Sequence, residues 1–182
     1  FKRVTEPLSK FGAKFTLNRN FSLPVIIKGA MNLHPIRYNE NKGSAQCKSS
    51  IIFGGMRTEG KTIIKAKKSR NHTELMCKYL KLPIKIENNK NYDLIKVNKV
   101  NEINKINYKI PSDISSAAFF IVLTILGDNS KITVKNVNIN PSRIGIINIL
   151  KKMGVRFIFK NKRDYKGEII ADIYVESTCL LY

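Results

Sequence analysis

The sequence lacks the long apolar runs of a membrane protein. Of its 182 residues, 43% are hydrophobic, which is ordinary for a globular protein. No stretch approaches about 18 apolar residues without a charge or an Asn, so no transmembrane helix is predicted. The chain begins with Phe1 rather than Met, and no signal-peptide pattern precedes the first charged segment. We therefore expect a portion of a longer cytoplasmic protein.

Cysteine is also scarce. The three cysteines, Cys47, Cys77 and Cys179, are odd in number and form no C-x-x-C pair. This pattern argues against a disulfide framework and against a zinc site. The sequence instead predicts reduced thiols that pack inside a cytosolic protein, and no metal site.

Acidic residues are few. There are 13 Asp and Glu against 33 Lys and Arg, which gives a net charge of +20 at pH 7. Such an excess is typical of nucleic-acid binding through a basic face, or of a Lys- and Asn-rich chain built around sites for small anions. The lysines are spread along the chain, with no aromatic-interleaved basic motif and no helix-turn-helix or zinc-finger spacing. We therefore expect small anions as ligands, and no nucleic acid or membrane as a partner.

What the chain does contain is an internal repeat. Three eight-residue segments align without gaps from Leu8, Tyr79 and Leu150, which lie 71 residues apart. Each segment is typical of a helix end, a Gly or Pro break and the start of a strand. Two matches at one offset indicate repeated structural units rather than chance.

The repeated unit is predicted as strand–helix–strand–helix–strand–strand. One copy is predicted over residues 36–97 and a second over residues 106–175, preceded by the tail of a third over residues 3–27. Alternating strands and helices indicate the α/β class, and so long a period favours globular lobes over a short solenoid repeat. The remaining predictions are helices at 43–55, 71–80, 114–126 and 142–152, and strands near 84–87, 92–97, 155–159 and 169–175.

A first motif lies at the predicted helix start after Gly43. Ser44 can cap this helix, and a helix start also offers free N–H groups and a positive dipole end to a phosphate. Gln46 and Lys48 add a neutral and a charged donor. Taken alone, the motif is better explained as a plain helix cap.

A second motif surrounds Arg70, which also precedes a predicted helix. Its guanidinium could grip an anion through two hydrogen bonds. His72 follows it and could act as a general base, but no paired acid stands at motif spacing, so a structural role is the better interpretation.

Two further motifs begin helices in the second half of the chain. Asp113 is a natural N-cap, followed by small residues that allow close packing or close approach of a ligand. Arg143 lies near the start of the next predicted helix. Taken alone, each is better explained by ordinary capping.

Together the four motifs resemble the enolpyruvyl-transferase family, in particular the 5-enolpyruvylshikimate-3-phosphate synthases (3-phosphoshikimate 1-carboxyvinyltransferases). That family's pattern includes S-A-Q-x-K-S, S-R-D-H-T-E, P-G-D-I-S-S-A-A-F and N-P-T-R-x-G, in this order. The chain matches it at residues 44–49, 69–74, 111–119 and 140–145. Asn71 replaces the usual Asp, Ser112 the usual Gly, and Ser142 the usual Thr.

The resemblance implies a fold of two lobes, each made of three βαβαββ units. The expected fold class is therefore α/β, with enolpyruvyl-transferase-like lobes that are only partly present. Residues 1–110 are expected to form part of one lobe, with the end of one repeat and one full repeat that binds shikimate 3-phosphate. Residues 111–182 are expected to begin the other lobe with a single repeat.

The resemblance also implies a reaction, the transfer of an enolpyruvyl group from phosphoenolpyruvate to the 5-hydroxyl of shikimate 3-phosphate. Ser44, Ala45, Gln46 and Arg70 match the family's shikimate-3-phosphate contacts, and Gln46 is expected to bind phosphoenolpyruvate too. The family's catalytic residues are expected outside this chain, so none is assigned here and the chain alone is expected to be inactive. No cofactor and no metal is implied, and the intact enzyme is expected to be a monomer.

Two rival functions stay open. One is the sister enzyme that transfers enolpyruvyl to a UDP-sugar, although the motifs at residues 44–46 and 69–74 speak against it. The other is a non-catalytic module that binds polyanions through its net charge of +20.

Overall fold

The chain folds into two compact units. The structure, a computed structural model, describes residues 1–18 and 22–178. Backbone contacts divide the chain into Phe1–Asn104, called unit 1, and Lys105–Tyr182, called unit 2. In both units helices alternate with strands, as the α/β prediction requires.

Unit 1 contains the tail of one repeat and one full repeat. The tail is a helix followed by a two-stranded antiparallel sheet, β1–β2. The full repeat, predicted over residues 36–97, is confirmed as a four-stranded sheet in the order β3-β4-β6-β5, in which only β3 and β4 are parallel. Its elements are α1 (Lys2–Lys10), β1 (Lys14–Leu17), β2 (Val25–Lys28), β3 (Arg37–Glu40), α2 (Ala45–Gly55), β4 (Lys61–Lys67), α3 (His72–Tyr79), β5 (Ile84–Asn88) and β6 (Tyr92–Asn98).

The core of unit 1 lies between its helices and one face of this sheet. In β4 every second side chain is buried, because successive residues of a strand point to opposite faces. Buried side chains of α2 and the ring of Phe11 pack against that face. The opposite face of β4 carries exposed lysines, which accounts for part of the basic charge. The core residues are Phe11, Cys47, Ile51, Ile52, Met56, Ile64, Ala66, Cys77, Ile95, Val97 and Val100.

Unit 2 contains one repeat with a smaller sheet. Its three strands are all antiparallel, in the order β7-β9-β8, and both helices pack on one face. The strand β9 is buried along most of its length because it is the central strand. The elements are α4 (Ile114–Leu126), β7 (Lys131–Asn138), α5 (Gly145–Lys152), β8 (Ile158–Tyr165) and β9 (Glu168–Glu176).

The first strand predicted for this second repeat, from about Ile106, is wrong. The segment before α4 makes a single parallel bridge, between Ser112 and Val137. In it Ser112 N–H donates to Asn136 O at 2.9 Å, and Asn138 N–H donates to Ser112 O at 2.9 Å. Pro111 has no N–H to donate, so the ladder cannot extend through it.

Two predicted boundaries also shift. The second helix of unit 2 begins at Gly145 rather than Ser142, because residues 141–144 form a turn. The side-chain oxygen of Asn140 accepts from Ser142 N–H at 2.9 Å and from its hydroxyl at 2.8 Å. This local bonding competes with the helix. The strand predicted from Val155 begins at Ile158.

One side of α4 is apolar and uncovered within the described part of the chain. Phe119 is 78% exposed and Leu123 71% exposed, while Phe120 and Leu126 are exposed as well. The opposite side buries Ile121 and other residues against the sheet. At 13 residues α4 is the longest described helix, and none of the described helices has the length and hydrophobicity to span a bilayer.

Candidate functional site: two linked helix starts

The start of α2 is capped as predicted. Ser44 has an extended backbone, and its hydroxyl oxygen accepts from Cys47 N–H at 3.3 Å. Gly43 precedes it with φ of +67°, and a Cβ there would lie 3.3 Å from the carbonyl oxygen of Lys68. Glycine therefore suits both the left-handed backbone and the close approach of the loop that leads to α3.

The start of α2 is partly accessible to solvent. Gln46 is exposed, whereas Ser44 and Ala45 are half-buried. The first backbone N–H groups of any helix lack partners within the helix. The start of α2 can therefore offer N–H groups, a hydroxyl and a side-chain amide to an anion.

A cleft of about 210 Å³ lies beside Ser44. The carboxylate of Glu40, 3% exposed, forms part of it and accepts from Lys42 N–H at 3.0 Å. Burial, followed by the nearby Cys47 and Glu6, raises the pKa of the Tyr38 hydroxyl to about 12, so this tyrosine stays neutral. Gln46 and Arg70 do not line the cleft, whose residues are Arg3, Glu6, Tyr38, Asn39, Glu40, Asn41, Lys42, Ser44 and Cys47.

Lys48 does not offer a donor to a ligand, contrary to the sequence-based expectation. Its side chain is 0% exposed, and its Nζ lies 2.6 Å from Oε1 of Glu74, whose side chain is 5% exposed. Lys48 Nζ has no hydrogen-bond partner among the described residues, so this contact is an ion pair whose angles do not suit a hydrogen bond. The other carboxylate oxygen of Glu74, Oε2, has no hydrogen-bond partner among them either. The Lys48 ammonium is therefore buried and cannot contact a ligand at the protein surface.

A second contact lies next to this ion pair. The hydroxyls of Ser49 and Thr73 are 2.6 Å apart, and either can donate. Residues 44–49 and 69–74 are thus joined at two adjacent positions, at the starts of α2 and α3. Sequence reasoning missed this link. The available signal was the spacing of Lys48 from Ile51 and Ile52, which places it on the buried face of the helix.

Arg70 lies two residues before α3, outside the buried link. Asn71 occupies the N-cap position and α3 begins at His72. Arg70 is exposed, whereas His72 is half-buried. The prediction that Arg70 precedes a helix start is confirmed, and its guanidinium is accessible to an anion.

In unit 2 the third and fourth motifs also meet. Nη2 of Arg143 donates to Asp113 Oδ1 at 2.6 Å and to Ser115 Oγ at 2.8 Å. Asp113 occupies the N-cap position of α4 as predicted; its carboxylate faces the Ser115 and Ser116 N–H groups without the full geometry of a cap hydrogen bond. Burial raises the pKa of Asp113, but the Ser115 N–H and the Arg143 charge outweigh it, so the net pKa is lowered.

The described cysteines are buried free thiols. Cys47 is 4% exposed and Cys77 2% exposed. Burial, followed by the nearby Glu74, raises the pKa of Cys77 to about 11. Cys179 lies outside the described residues. Within residues 1–18 and 22–178, no group of three His, Cys, Asp or Glu could hold a metal ion.

Comparison with known proteins identifies the family. A family model for EPSP synthase (3-phosphoshikimate 1-carboxyvinyltransferase) matches residues 1–174. The chain belongs to the EPSP synthase family. The resemblance found in the sequence is thereby confirmed for the whole span of the four motifs.

Individual family members agree. The 3-phosphoshikimate 1-carboxyvinyltransferase of Caldicellulosiruptor bescii is 42% identical over 181 residues, which are 98% of this chain and 42% of that protein. The enzyme of Leuconostoc mesenteroides is 40% identical over 180 residues. The chain spans about two fifths of the length of these relatives.

Solved structures show the same fold. EPSP synthase from Acinetobacter baumannii is 34% identical with a TM-score of 0.79, over 97% of this chain and 39% of that one. The enolpyruvyl transferase NikO from Streptomyces tendae has a TM-score of 0.68 at 12% identity, over 98% of this chain and 43% of that one. NikO supports the fold alone. The enolpyruvyl-transferase-like fold, only partly present, is confirmed.

Proposed function

We propose that this chain is part of an enzyme that transfers the enolpyruvyl group of phosphoenolpyruvate to the 5-hydroxyl of shikimate 3-phosphate. The reaction belongs to the shikimate pathway, which leads to chorismate and the aromatic amino acids, and we place it in the cytoplasm. Family membership supports the proposal. The observation that carries it is the double link, Lys48 with Glu74 and Ser49 with Thr73, which joins two motif-bearing helix starts.

The first half of the chain is proposed to bind shikimate 3-phosphate. Ser44, Ala45 and Gln46 would contact it from the start of α2, where backbone N–H groups favour a phosphate. Arg70 would contact the phosphate from the start of α3. Gln46 is the most exposed of the three α2 residues and is proposed to contact phosphoenolpyruvate as well.

The proposed reaction has two stages, addition and elimination. The alkene carbon of phosphoenolpyruvate gains a proton while the 5-hydroxyl oxygen of shikimate 3-phosphate bonds to C2 and loses its proton. The tetrahedral intermediate then loses phosphate and a proton to regenerate the alkene. The residues assigned here hold and orient the anionic substrates, and no catalytic residue is assigned within the chain.

The domain assignment is part of the same proposal. Residues 1–110 are assigned to one lobe of the enzyme and residues 111–182 to the other. The division into compact units falls after Asn104, a few residues earlier. The expected partners are the two small-molecule substrates, and the intact enzyme is expected to be a monomer.

Titration of shikimate 3-phosphate into Arg70→Ala tests the proposal. Hydrogen bonds to charged groups contribute about 1.5–3 kcal/mol each, so the dissociation constant should rise roughly 10- to 150-fold. Arg70→Lys should recover only part of the affinity, because an ammonium cannot reproduce the planar fork. Folding should change little, because Arg70 is exposed.

The matched control is Lys61→Ala, at the opposite end of β4 from the loop to α3. Lys67 is less suitable, because its side chain lies within 3.9 Å of a Cβ placed on Gly43. Equal, slight weakening by Arg70→Ala and Lys61→Ala would mean that general positive charge attracts the ligand, and the assigned site would be wrong. Preference for a UDP-sugar over shikimate 3-phosphate would favour the sister activity instead.

A further inference from the structure

Unit 2 contains a basic cleft of about 420 Å³, whose cationic side chains lie outside the four motifs although Pro111 and Ser112 of the third motif line it. One wall is the segment just before α4, and the others come from β7, β8 and β9. Three cationic side chains line the cleft, and its lining contains no carboxylate. The lining residues are Lys109, Ile110, Pro111, Ser112, Lys135, Asn136, Arg163, Tyr165 and Ile170.

Two β-bulges shape this cleft. In β7, Lys135 and Asn136 together lie opposite the single residue Asp172 of β9. In β8 the pairing with β9 is interrupted in the same way between Lys160 and Arg163. Bulges bend a strand and redirect its side chains, and they are common beside functional sites.

A buried carboxylate holds both bulges in place. Asp172 Oδ1 accepts from Asn136 N–H at 2.7 Å, and its Oδ2 accepts from the side-chain amide of Asn161 at 2.7 Å. Both asparagines have φ of +52°, in the left-handed region that costs energy for any residue but glycine. These hydrogen bonds, above all that from Asn136 N–H, lower the pKa of Asp172, so it stays ionised.

Arg163 is fixed in position by the same bulges. Its Nη1 donates to Asn161 O at 3.0 Å and its Nη2 donates to Asn136 Oδ1 at 2.6 Å. Both acceptors are uncharged, so these bonds orient the guanidinium without neutralising it. Asp172 gives its hydrogen bonds to the asparagines, and its charge partly balances those of Arg163 and Lys135 without a direct ion pair to either. Lys109 and Lys135 have no ion-pair partner among the described residues.

The cleft also has apolar surface and one neutral donor. Tyr165 Oη accepts from Lys109 N–H at 3.0 Å, which leaves its own O–H free to donate. Ile110 is 84% exposed, and it lines the cleft with Pro111 and Ile170. Apolar walls with a few polar groups are typical of small-molecule sites, and the volume lies in their usual range of about 300–1,000 Å³.

We propose that this cleft binds a small organic phosphate, with the phosphate among Lys109, Lys135 and Arg163 and the carbon body against Ile110 and Pro111. A dianion fits three cations, and the fixed guanidinium reduces the ordering that binding requires. This site shares no residue with the substrate site proposed in unit 1, so it does not depend on the proposed function.

Titration of the whole chain with phenyl phosphate, followed by NMR of backbone amides, tests the site. We expect shifts at Asn136, Arg163 and Tyr165. Inorganic phosphate should bind more weakly because it lacks the carbon body, and benzyl alcohol should not bind because it lacks the charge. Equal affinity for phenyl phosphate and benzyl alcohol would overturn the anion site.

Substitutions of single lysines test which positive charges bind the phosphate. Lys109→Gln and Lys135→Gln should each weaken phenyl phosphate binding roughly tenfold, as the loss of one charged contact predicts. Lys131→Gln is the matched control, since Lys131 is exposed on the same strand but does not line the cleft. If all three variants weaken phenyl phosphate binding equally, the net charge of the chain and not the cleft attracts the ligand, and the proposal is refuted.

Variants of the two sites separate this cleft from the proposed substrate site. Lys109→Gln and Lys135→Gln should leave the binding of shikimate 3-phosphate at the unit 1 site unchanged, and Arg70→Ala should leave the binding of phenyl phosphate unchanged, because Arg70 does not line the cleft. If Arg70→Ala weakens phenyl phosphate binding as much as Lys109→Gln does, the cleft belongs to the substrate site and a separate site is wrong.

Discussion

The two units join pairs of helix starts by ion pairs in very different surroundings. In unit 1 the side chains of Lys48 and Glu74 are 0% and 5% exposed. In unit 2 those of Arg143 and Asp113 are 17% and 51% exposed. A buried pair is costly to desolvate, and loss of one partner leaves an uncompensated charge. In a solvent-exposed pair, water screens the attraction between the charges, so the pair contributes little to the free energy of unfolding. One repeat architecture therefore holds its helix starts by contacts of very different strength.

The sheets differ in a related way. In unit 1, β3 pairs with β4 over four residues, whereas in unit 2 the corresponding segment keeps only the bridge at Ser112. Pro111 and the bulge at Asn136 both interrupt regular pairing there. The missing strand leaves room for the basic cleft, which at about 420 Å³ has twice the volume of the cleft of about 210 Å³ beside Ser44.

The largest expected effect is on the buried pair. Glu74→Leu should lower the free energy of unfolding by about 3–5 kcal/mol, because it leaves the Lys48 ammonium buried and unpaired. Urea denaturation followed by circular dichroism measures this, or shows an unfolded chain if the loss exceeds the total stability. A loss below about 1 kcal/mol would show that Lys48 reaches water.

The double variant Lys48→Met/Glu74→Leu is the control for that experiment. It replaces the pair by apolar side chains of similar volume and should recover most of the stability, as buried pairs elsewhere do. If it is as unstable as Glu74→Leu, the loss comes from packing rather than from the unpaired charge.

An intermediate effect is expected from glycines at the helices of the two units. In α2, a Cβ on Gly55 would lie 2.9 Å from Thr62 Cβ, so Gly55→Ala should cost about 1–3 kcal/mol through overpacking. In α5, a Cβ on Gly145 meets nothing within 4 Å. Gly145→Ala should therefore be neutral or stabilise by about 0.4–1 kcal/mol. Thermal unfolding should show a lower Tm for Gly55→Ala and an unchanged or higher Tm for Gly145→Ala. Equal shifts in Tm for the two variants would contradict this prediction.

The smallest effect is expected at the exposed pair. Arg143→Ala should cost about 0.2–1 kcal/mol, and less at high salt. Since the pKa of Asp113 is lowered on folding, its contribution is present above its ordinary pKa of 3.8 and is lost as pH falls through the lower, folded value. Denaturation across acidic pH should show a smaller slope in Arg143→Ala. An unchanged slope would mean that the backbone N–H groups of Ser115 and Ser116, and not Arg143, lower this pKa.

The sequence predicted the helices and most strands, because apolar spacing and the 71-residue repeat both report local geometry. The prediction of element boundaries was wrong where particular side chains change the hydrogen bonding of the backbone. Asn140 bonds to Ser142 and delays α5, while Pro111 removes a donor from the expected first strand of unit 2. Neither effect follows from periodicity.

The site was predictable only in part. The helix starts at Ser44 and Arg70 follow from local capping signals, and both are found. The role of Lys48 could not be predicted, because its partner Glu74 lies on another helix and only the fold brings the two together. A lysine in a polar motif was interpreted as a ligand donor, whereas packing turned it inward.

The burial of Lys48 also has a chemical consequence. Amine-reactive reagents modify accessible amines, and most lysines of this chain are exposed. Lys48 can react only when the contact between α2 and α3 opens. Its labelling rate, read by peptide mass spectrometry against that of Lys61, therefore measures how often this contact opens in the native state. A bound ligand that holds both helix starts should slow the labelling of Lys48 and leave that of Lys61 unchanged.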